Sequence, residues 1–162
     1  MKVLHIVVAG VLALSAKAGA QSYTYGQRIV AAVLMGEAAG EGEAGMVAVA
    51  EVVRNRAVEH GRSPLQVVCQ KRAFSCLNGK TAEQLYQEHC RSALFKAALR
   101  IAKTLYNSPQ DLPGRTRGAT FYDIKDAKPP WLSEVRQVAI IGQHAFYVAK
   151  SKGNLPSLAG RT

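Results

Sequence analysis

Met35-Gly36-Glu37-Ala38-Ala39-Gly40-Glu41-Gly42-Glu43-Ala44-Gly45 joins two apolar stretches, and its reading decides the fold. Upstream, Tyr25 to Ala39 carries Ile29, Val30, Val33 and Leu34 with small alanines between them, the pattern of a helix buried over most of its surface. The glycines at 36, 40, 42 and 45 then punctuate it, so its end is predicted near Gly40. A second helix follows from about Glu43 to His60. Its apolar positions, Met46, Val47, Val49, Ala50, Val53 and Ala57, cover a wide face and imply deep burial.

Outward from that pair, Gly61 closes the second helix. Ser63-Pro64 opens a short one through Gln70, with Ser63 as N-cap and Pro64 at the first position. Ala73 to Lys80 reads as a loop. Thr81 to Asn107 is helical in two pieces, with Thr81 and Gln84 as a capping box and Leu94, Ala97, Ala98, Ile101 and Leu105 as an apolar stripe. Ser108 to Gly118 is a loop, and the pattern then changes. Ala119 to Tyr122 is β-prone, and Lys128-Pro129-Pro130 cannot be helix interior. Val135 to Ile141 and Ala145 to Ala149 flank Gly142-Gln143 as a hairpin. The predicted class is α+β, mainly helical, with a small antiparallel sheet in the C-terminal third.

Residues 1–20 read as a secretory signal peptide: Lys2, an apolar run from Val3 to Leu14, and the small-residue site Ala18-Gly19-Ala20. That run is shorter than the roughly 20 residues a spanning helix needs. Residues 21–150 are expected to form one exported, monomeric catalytic domain, free of the membrane once the signal is removed, and 151–162 a tail. The whole chain has 21 Lys+Arg against 11 Asp+Glu, a charge suited to polyanions of a bacterial envelope. Nucleic acid is the other polyanion, but no basic helix, zinc-finger spacing or aromatic RNA-binding motif accompanies the charge. Cys69, Cys76 and Cys90 in an oxidising compartment predict one disulfide and one leftover thiol. No C-x-x-C or H-E-x-x-H occurs, and neither a metal nor a cofactor is expected.

The residues that can carry chemistry fall in three clusters. Glu37 ends an otherwise apolar helix. Low-polarity surroundings disfavour a carboxylate, and the negative end of the helix dipole favours the protonated form as well. A protonated carboxyl is what a glycosidic leaving oxygen requires. Taken alone, Glu37 would read as a solvated helix-end residue, and Glu41 and Glu43 in the glycine-rich turn likewise. The second cluster is Gly118-Ala-Thr120-Phe121-Tyr122-Asp123 with Pro129-Pro130-Trp131; the third is Ile141-Gly-Gln143-His144-Ala-Phe146-Tyr147. Aromatic faces cover sugar rings while hydroxyls and amides bond their polar edges. Phe121 and Phe146 are assigned to core. Thr120, Tyr122, Trp131, Gln143, His144 and Tyr147 are candidate substrate contacts, with Glu41 and Glu43. No G-x-S-x-G, P-loop or G-x-G-x-x-G is present.

In this order the clusters resemble the SleB-type cell wall hydrolases, the spore-cortex-lytic enzyme family. The matching residues are Gly36-Glu37-Ala38-x-Gly40-Glu41, the segment from Val47 to Asn55-Arg56, Phe74-Ser-Cys76, Gly118-Ala-Thr-x-Tyr122, Pro130-Trp131 and Ile141-Gly-x-His-x-Phe-Tyr147. The resemblance runs from about Ile29 to Tyr147. It implies a lysozyme- and lytic-transglycosylase-like domain whose essential glutamate is Glu37, cleaving peptidoglycan between N-acetylmuramic acid and N-acetylglucosamine. The sequence shows no separate repeat-type peptidoglycan-binding domain, so ordinary envelope peptidoglycan, not spore cortex, is the expected substrate.

With one clear carboxyl, a lytic transglycosylase scheme ending in 1,6-anhydro rings is the economical expectation, because retaining and inverting glycosidases normally need two. The alternatives are a muramidase with Glu41 or Glu43 as second carboxylate and a non-catalytic peptidoglycan binder. An amidase or peptidase would need a metal triad or Cys-His pair that the sequence does not assemble.

Overall fold

The computed structural model describes residues 22–150; the expected signal peptide and tail lie outside the described residues. Five helices come first: α1 (Tyr25–Ala38), α2 (Gly42–His60), α3 (Pro64–Val68), α4 (Ala82–His89) and α5 (Phe95–Asn107). Three strands follow, β1 (Phe121–Ile124), β2 (Val135–Ile141) and β3 (His144–Ala149), with short 3-10 turns between elements.

Capping chemistry sets the helix starts. Thr24, Ser63 and Thr81 each accept from the backbone three residues on, and Gln27, Gln66 and Gln84 each reach back to the cap, so α1, α3 and α4 open with full capping boxes. Helix α1 is the centre of the domain. Val30, Val33 and Leu34 are fully buried, and α2, α3, α4 and α5 all pack against it. A helix covered on every side must be apolar all round, which explains its unbroken Ile29–Met35 run. Helix α5 instead lies at the surface, and its Ala97, Ala98, Ile101 and Leu105 stripe is the face turned inward.

Helix α1 stops at Ala38. Residues Ala39–Glu41 tighten into a 3-10 turn, and α2 begins at Gly42. Glu41 therefore does not continue the face of Glu37, as it would on an unbroken helix. Helix α3 is shorter than expected. The Cys69 N–H already bonds the Leu65 carbonyl and the Gln70 N–H the Val67 carbonyl, closing the turn at Val68. Strand β1 starts at Phe121, two residues later than expected, because the carbonyls of Ala119 and Thr120 are held by α2. Asn55 Nδ2 donates to Ala119 at 2.8 Å and Arg56 Nε to Thr120 at 2.7 Å.

The sheet is antiparallel in the order β1-β3-β2, with Phe121 opposite Tyr147 and Tyr122 opposite Phe146. Tyr122 and Phe146 face the helices and join the main core. Phe121 and Tyr147 face the other way and form a second core with Trp131 and Val135. The hairpin turn at Gly142-Gln143 is as expected, with Gly142 at φ +59°.

The expected disulfide is not present. Cys69, Cys76 and Cys90 are all free. The Cys76 thiol points to the Val33 carbonyl (3.9 Å), whereas Cys90 points to the Gln87 carbonyl just before it (3.7 Å), so these two sulfurs are turned to separate local partners.

Candidate active site

Glu37 reaches its position because α1 ends just after it. The side chain is half-buried, and three donors converge on its carboxyl group. Ser75 Oγ donates to Oε1 at 3.1 Å, the Cys76 N–H to the same oxygen at 2.9 Å, and the Tyr122 hydroxyl to Oε2 at 2.5 Å. Each comes from a different part of the chain. Ser75 and Cys76 belong to the 3-10 turn Ser75–Leu77, and Tyr122 to β1. The close approach of that turn requires glycine at 36, since a Cβ there would stand 2.7 Å from the Cys76 Cβ. Burial, and then the charge of Glu37, push the Cys76 thiol well above its ordinary range.

Around Glu37 lies a cleft of about 510 Å³. Gly36, Glu37 and Ser75 form one wall and Tyr122, Asp123 and Ile124 of β1 the other; Ala127, Pro129, Pro130 and Trp131 close one side, and His144 lines it as well. β1 is an edge strand whose last residue, Ile124, pairs with His144 of β3, so both strands present residues to the cleft. Tyr122 is fixed from three sides, stacked on Phe146 (centroids 5.8 Å, 26° between planes), tilted against Phe74 (6.5 Å) and edge-on to His144 (5.4 Å).

Of the candidates named from the sequence, Glu37, Tyr122, Trp131 and His144 meet in the cleft. Glu41 stands behind it. Its Oε1 accepts the Gln143 N–H at 2.5 Å, and its Oε2 lies 3.0 Å from His144 Nδ1, so Gln143 contributes a backbone group while its side chain is exposed. Three candidates lie elsewhere. Glu43 is on the surface, 3.5 Å from Arg100 of α5. Thr120 lines a separate groove with Asn55, Val58 and Gly118. Tyr147 is buried on the far face of the sheet against Trp131, and burial, then the Asp123 charge, raise its phenol. Strand alternation explains the last case, because the residue opposite Phe121 must share its face.

Asp123, Ser75 and the Cys76 N–H are further groups at the site; they fall in stretches quoted from the sequence, but none is a candidate there. Outside the cleft lining, Glu51 and Arg56 hold the frame. Fully buried Glu51 accepts from the Arg115 N–H (3.1 Å), the Thr116 N–H (2.7 Å) and the Thr116 hydroxyl (2.8 Å). Arg56 ties α2 to the Thr120 and Ala73 carbonyls and lies over the Phe74 ring at 5.3 Å. A charged residue on a deeply apolar helix face was the available signal. Among the described residues, no group of three His, Cys, Asp or Glu is placed to hold a metal ion, and no helix is long and apolar enough to cross a membrane.

Two solved structures resemble this chain in fold. One is the catalytic domain of the germination-specific lytic transglycosylase SleB from Bacillus anthracis, 26% identical, covering 78% of this chain and 97% of that one, with a TM-score of 0.59. The other is the catalytic domain of the Bacillus cereus SleB protein, 25% identical, covering 78% and 93%, with a TM-score of 0.55. No curated protein matches the chain. The family model described as Cell Wall Hydrolase matches residues 40–147, a span that holds Glu41, Tyr122 and His144 and opens three residues after Glu37. That span is well over half of the sequence, so this chain is an enzyme that belongs to the cell wall hydrolase family.

Proposed function

We propose that the protein cleaves peptidoglycan glycan strands between N-acetylmuramic acid and N-acetylglucosamine as a lytic transglycosylase, with Glu37 as its catalytic acid. The observation that carries this reading is the convergence of Ser75, the Cys76 N–H and Tyr122 on the Glu37 carboxyl inside a cleft of sugar-binding size. Such a carboxyl is held in one orientation before substrate arrives, which is what proton delivery to a leaving oxygen needs. In the simplest scheme Glu37 protonates the glycosidic oxygen. The 6-hydroxyl of the muramic acid residue then closes on the anomeric carbon and gives up its proton to a base in the cleft, leaving a 1,6-anhydro end. Trp131, Pro129 and Pro130 form the apolar side of the cleft, against which a pyranose ring packs. The enzyme acts as an exported monomer on envelope peptidoglycan.

A hydrolytic variant is favoured by one observation, the presence of Asp123 in the same cleft. Neither Glu41 nor Glu43 lines the cleft, so Asp123, whose Oδ1 accepts the Ile124 N–H, is the carboxylate a two-carboxylate muramidase would use. Mass spectrometry of digested sacculi separates the two. Anhydromuramic ends support transglycosylation; reducing muramic ends overturn it and promote Asp123. Glu37→Gln should nearly abolish lysis with the fold intact while still binding sacculi. Full activity in that variant sinks the assignment.

A further inference from the structure

His144 is the first residue of β3 and lines the cleft that holds Glu37. Its Nδ1 faces Glu41 Oε2 at 3.0 Å, and the other oxygen of that carboxylate takes the Gln143 N–H. Both side chains are enclosed, His144 14% and Glu41 13% exposed. Two glycines make the room. A Cβ on Gly142 would stand 2.8 Å from the Glu41 Cδ, and one on Gly45 2.7 Å from its Oε2. An ionised carboxylate can only accept, so Nδ1 carries the hydrogen and the neutral ring has its lone pair on Nε2. Among the described residues Nε2 has no hydrogen-bond partner, and it is not a buried atom. Tyr122 links the two centres, its hydroxyl on Glu37 and its ring edge-on to the imidazole.

We infer that His144 is a second catalytic residue, the base that takes the proton from the attacking 6-hydroxyl, with Glu41 as its positioning residue. The inference rests on the Glu37 reading and divides the acid and base roles between two groups. The bond from the anomeric carbon to the glycosidic oxygen breaks as Glu37 gives that oxygen its proton. The bond from the 6-oxygen to the anomeric carbon forms as the 6-hydroxyl proton passes to Nε2. Glu41 holds the tautomer and stabilises the imidazolium, the part that the aspartate plays in a Ser-His-Asp triad. Solvent then carries the proton from His144 back to Glu37, so no proton is gained or lost over the cycle.

The test is steady-state lysis of purified sacculi by the exported chain, with product analysis. His144→Gln should lower kcat about 100-fold and leave KM close to that of the parent protein. Imidazole added to His144→Ala should restore part of kcat. Glu41→Gln keeps a contact to both neighbours, but its amide donates to Nδ1 and moves the ring hydrogen to Nε2. It should therefore lower kcat without unfolding, and it decides the matter if the His144 variants do not fold. Parent-like kcat in either His144→Gln or Glu41→Gln, or a change confined to KM, overturns the inference. Failure of the Glu37 reading looks different: it is an active Glu37→Gln, or a parent enzyme that makes no anhydro ends.

Discussion

The Tyr122 hydroxyl donates to Glu37 Oε2 at 2.5 Å, across 85 residues of sequence. The ring itself is held by Phe146 and Phe74, so the hydroxyl can be removed without losing the ring. Tyr122→Phe should lower kcat by tenfold to a hundredfold, the equivalent of about 1.5–3 kcal/mol for a hydrogen bond to a charged group. Its melting temperature should stay close to that of the parent. Turbidity loss of sacculi beside a thermal melt checks both, and an unchanged rate would remove Tyr122 from the site.

Gly36 makes a separate claim about how the site is assembled. An alanine there puts a methyl 2.7 Å from the Cys76 Cβ and 3.1 Å from its sulfur. The 3-10 turn must then retreat, and with it the two donors to Glu37 Oε1. Gly36→Ala should cost activity at least tenfold, by about 2 kcal/mol of lost positioning and overpacking. The pairing of Gly36→Ala with Cys76→Gly should recover part of the loss. If the double variant is no better than the single one, the contact with Cys76 is not what the glycine protects.

Much of this fold is written locally. The Thr81–Gln84 box and the Ser63-Pro64 start are readable because a cap and its partner lie three residues apart. Local chemistry makes Glu37, a carboxylate at the negative end of an apolar helix, a plausible acid, and only the family resemblance raises it above a solvated helix-end residue. The groups that orient it do not stand out. Ser75 and Cys76 reach it from a loop, with no periodicity to mark them. The aromatic cluster misled for a related reason: composition nominates Tyr122 and Tyr147 equally, while the register sends them to opposite faces. The register depends on β3 pairing with β1 on the side away from β2, and no short window contains that information.

Glu51 offers a contrast between stability and chemistry. It is fully buried and bonds the Arg115–Thr116 loop through three donors, and none of these residues lines the cleft. Glu51→Gln turns one acceptor into an NH2 group that faces donors. It should destabilise the domain by about 2–4 kcal/mol, the cost of breaking a buried, charge-assisted network. Urea denaturation measures this. At low temperature, where the variant remains folded, kcat should match the parent; a specific loss of kcat would instead make the α2 contact part of the catalytic machinery.

The free cysteines allow the neighbourhood of Glu37 to be probed without substrate. Three thiols per chain should titrate in denaturant without reductant, and the intact mass should not be lighter by two hydrogens, as one disulfide would make it. In the native protein Cys76 should resist iodoacetamide at pH 8. The thiolate is the reactive form, and a thiol pushed above its ordinary range has less thiolate at a given pH, so its alkylation should appear only at more alkaline pH. Burial is the larger cause and the Glu37 charge the smaller one. Glu37→Gln should therefore speed the labelling of Cys76 while leaving it slower than that of an exposed thiol. Peptide mapping of labelled parent and variant measures the ratio. A ratio of one would mean that the Glu37 carboxylate does not act on the Cys76 sulfur, and that the two are not held together as the Cys76 N–H contact requires.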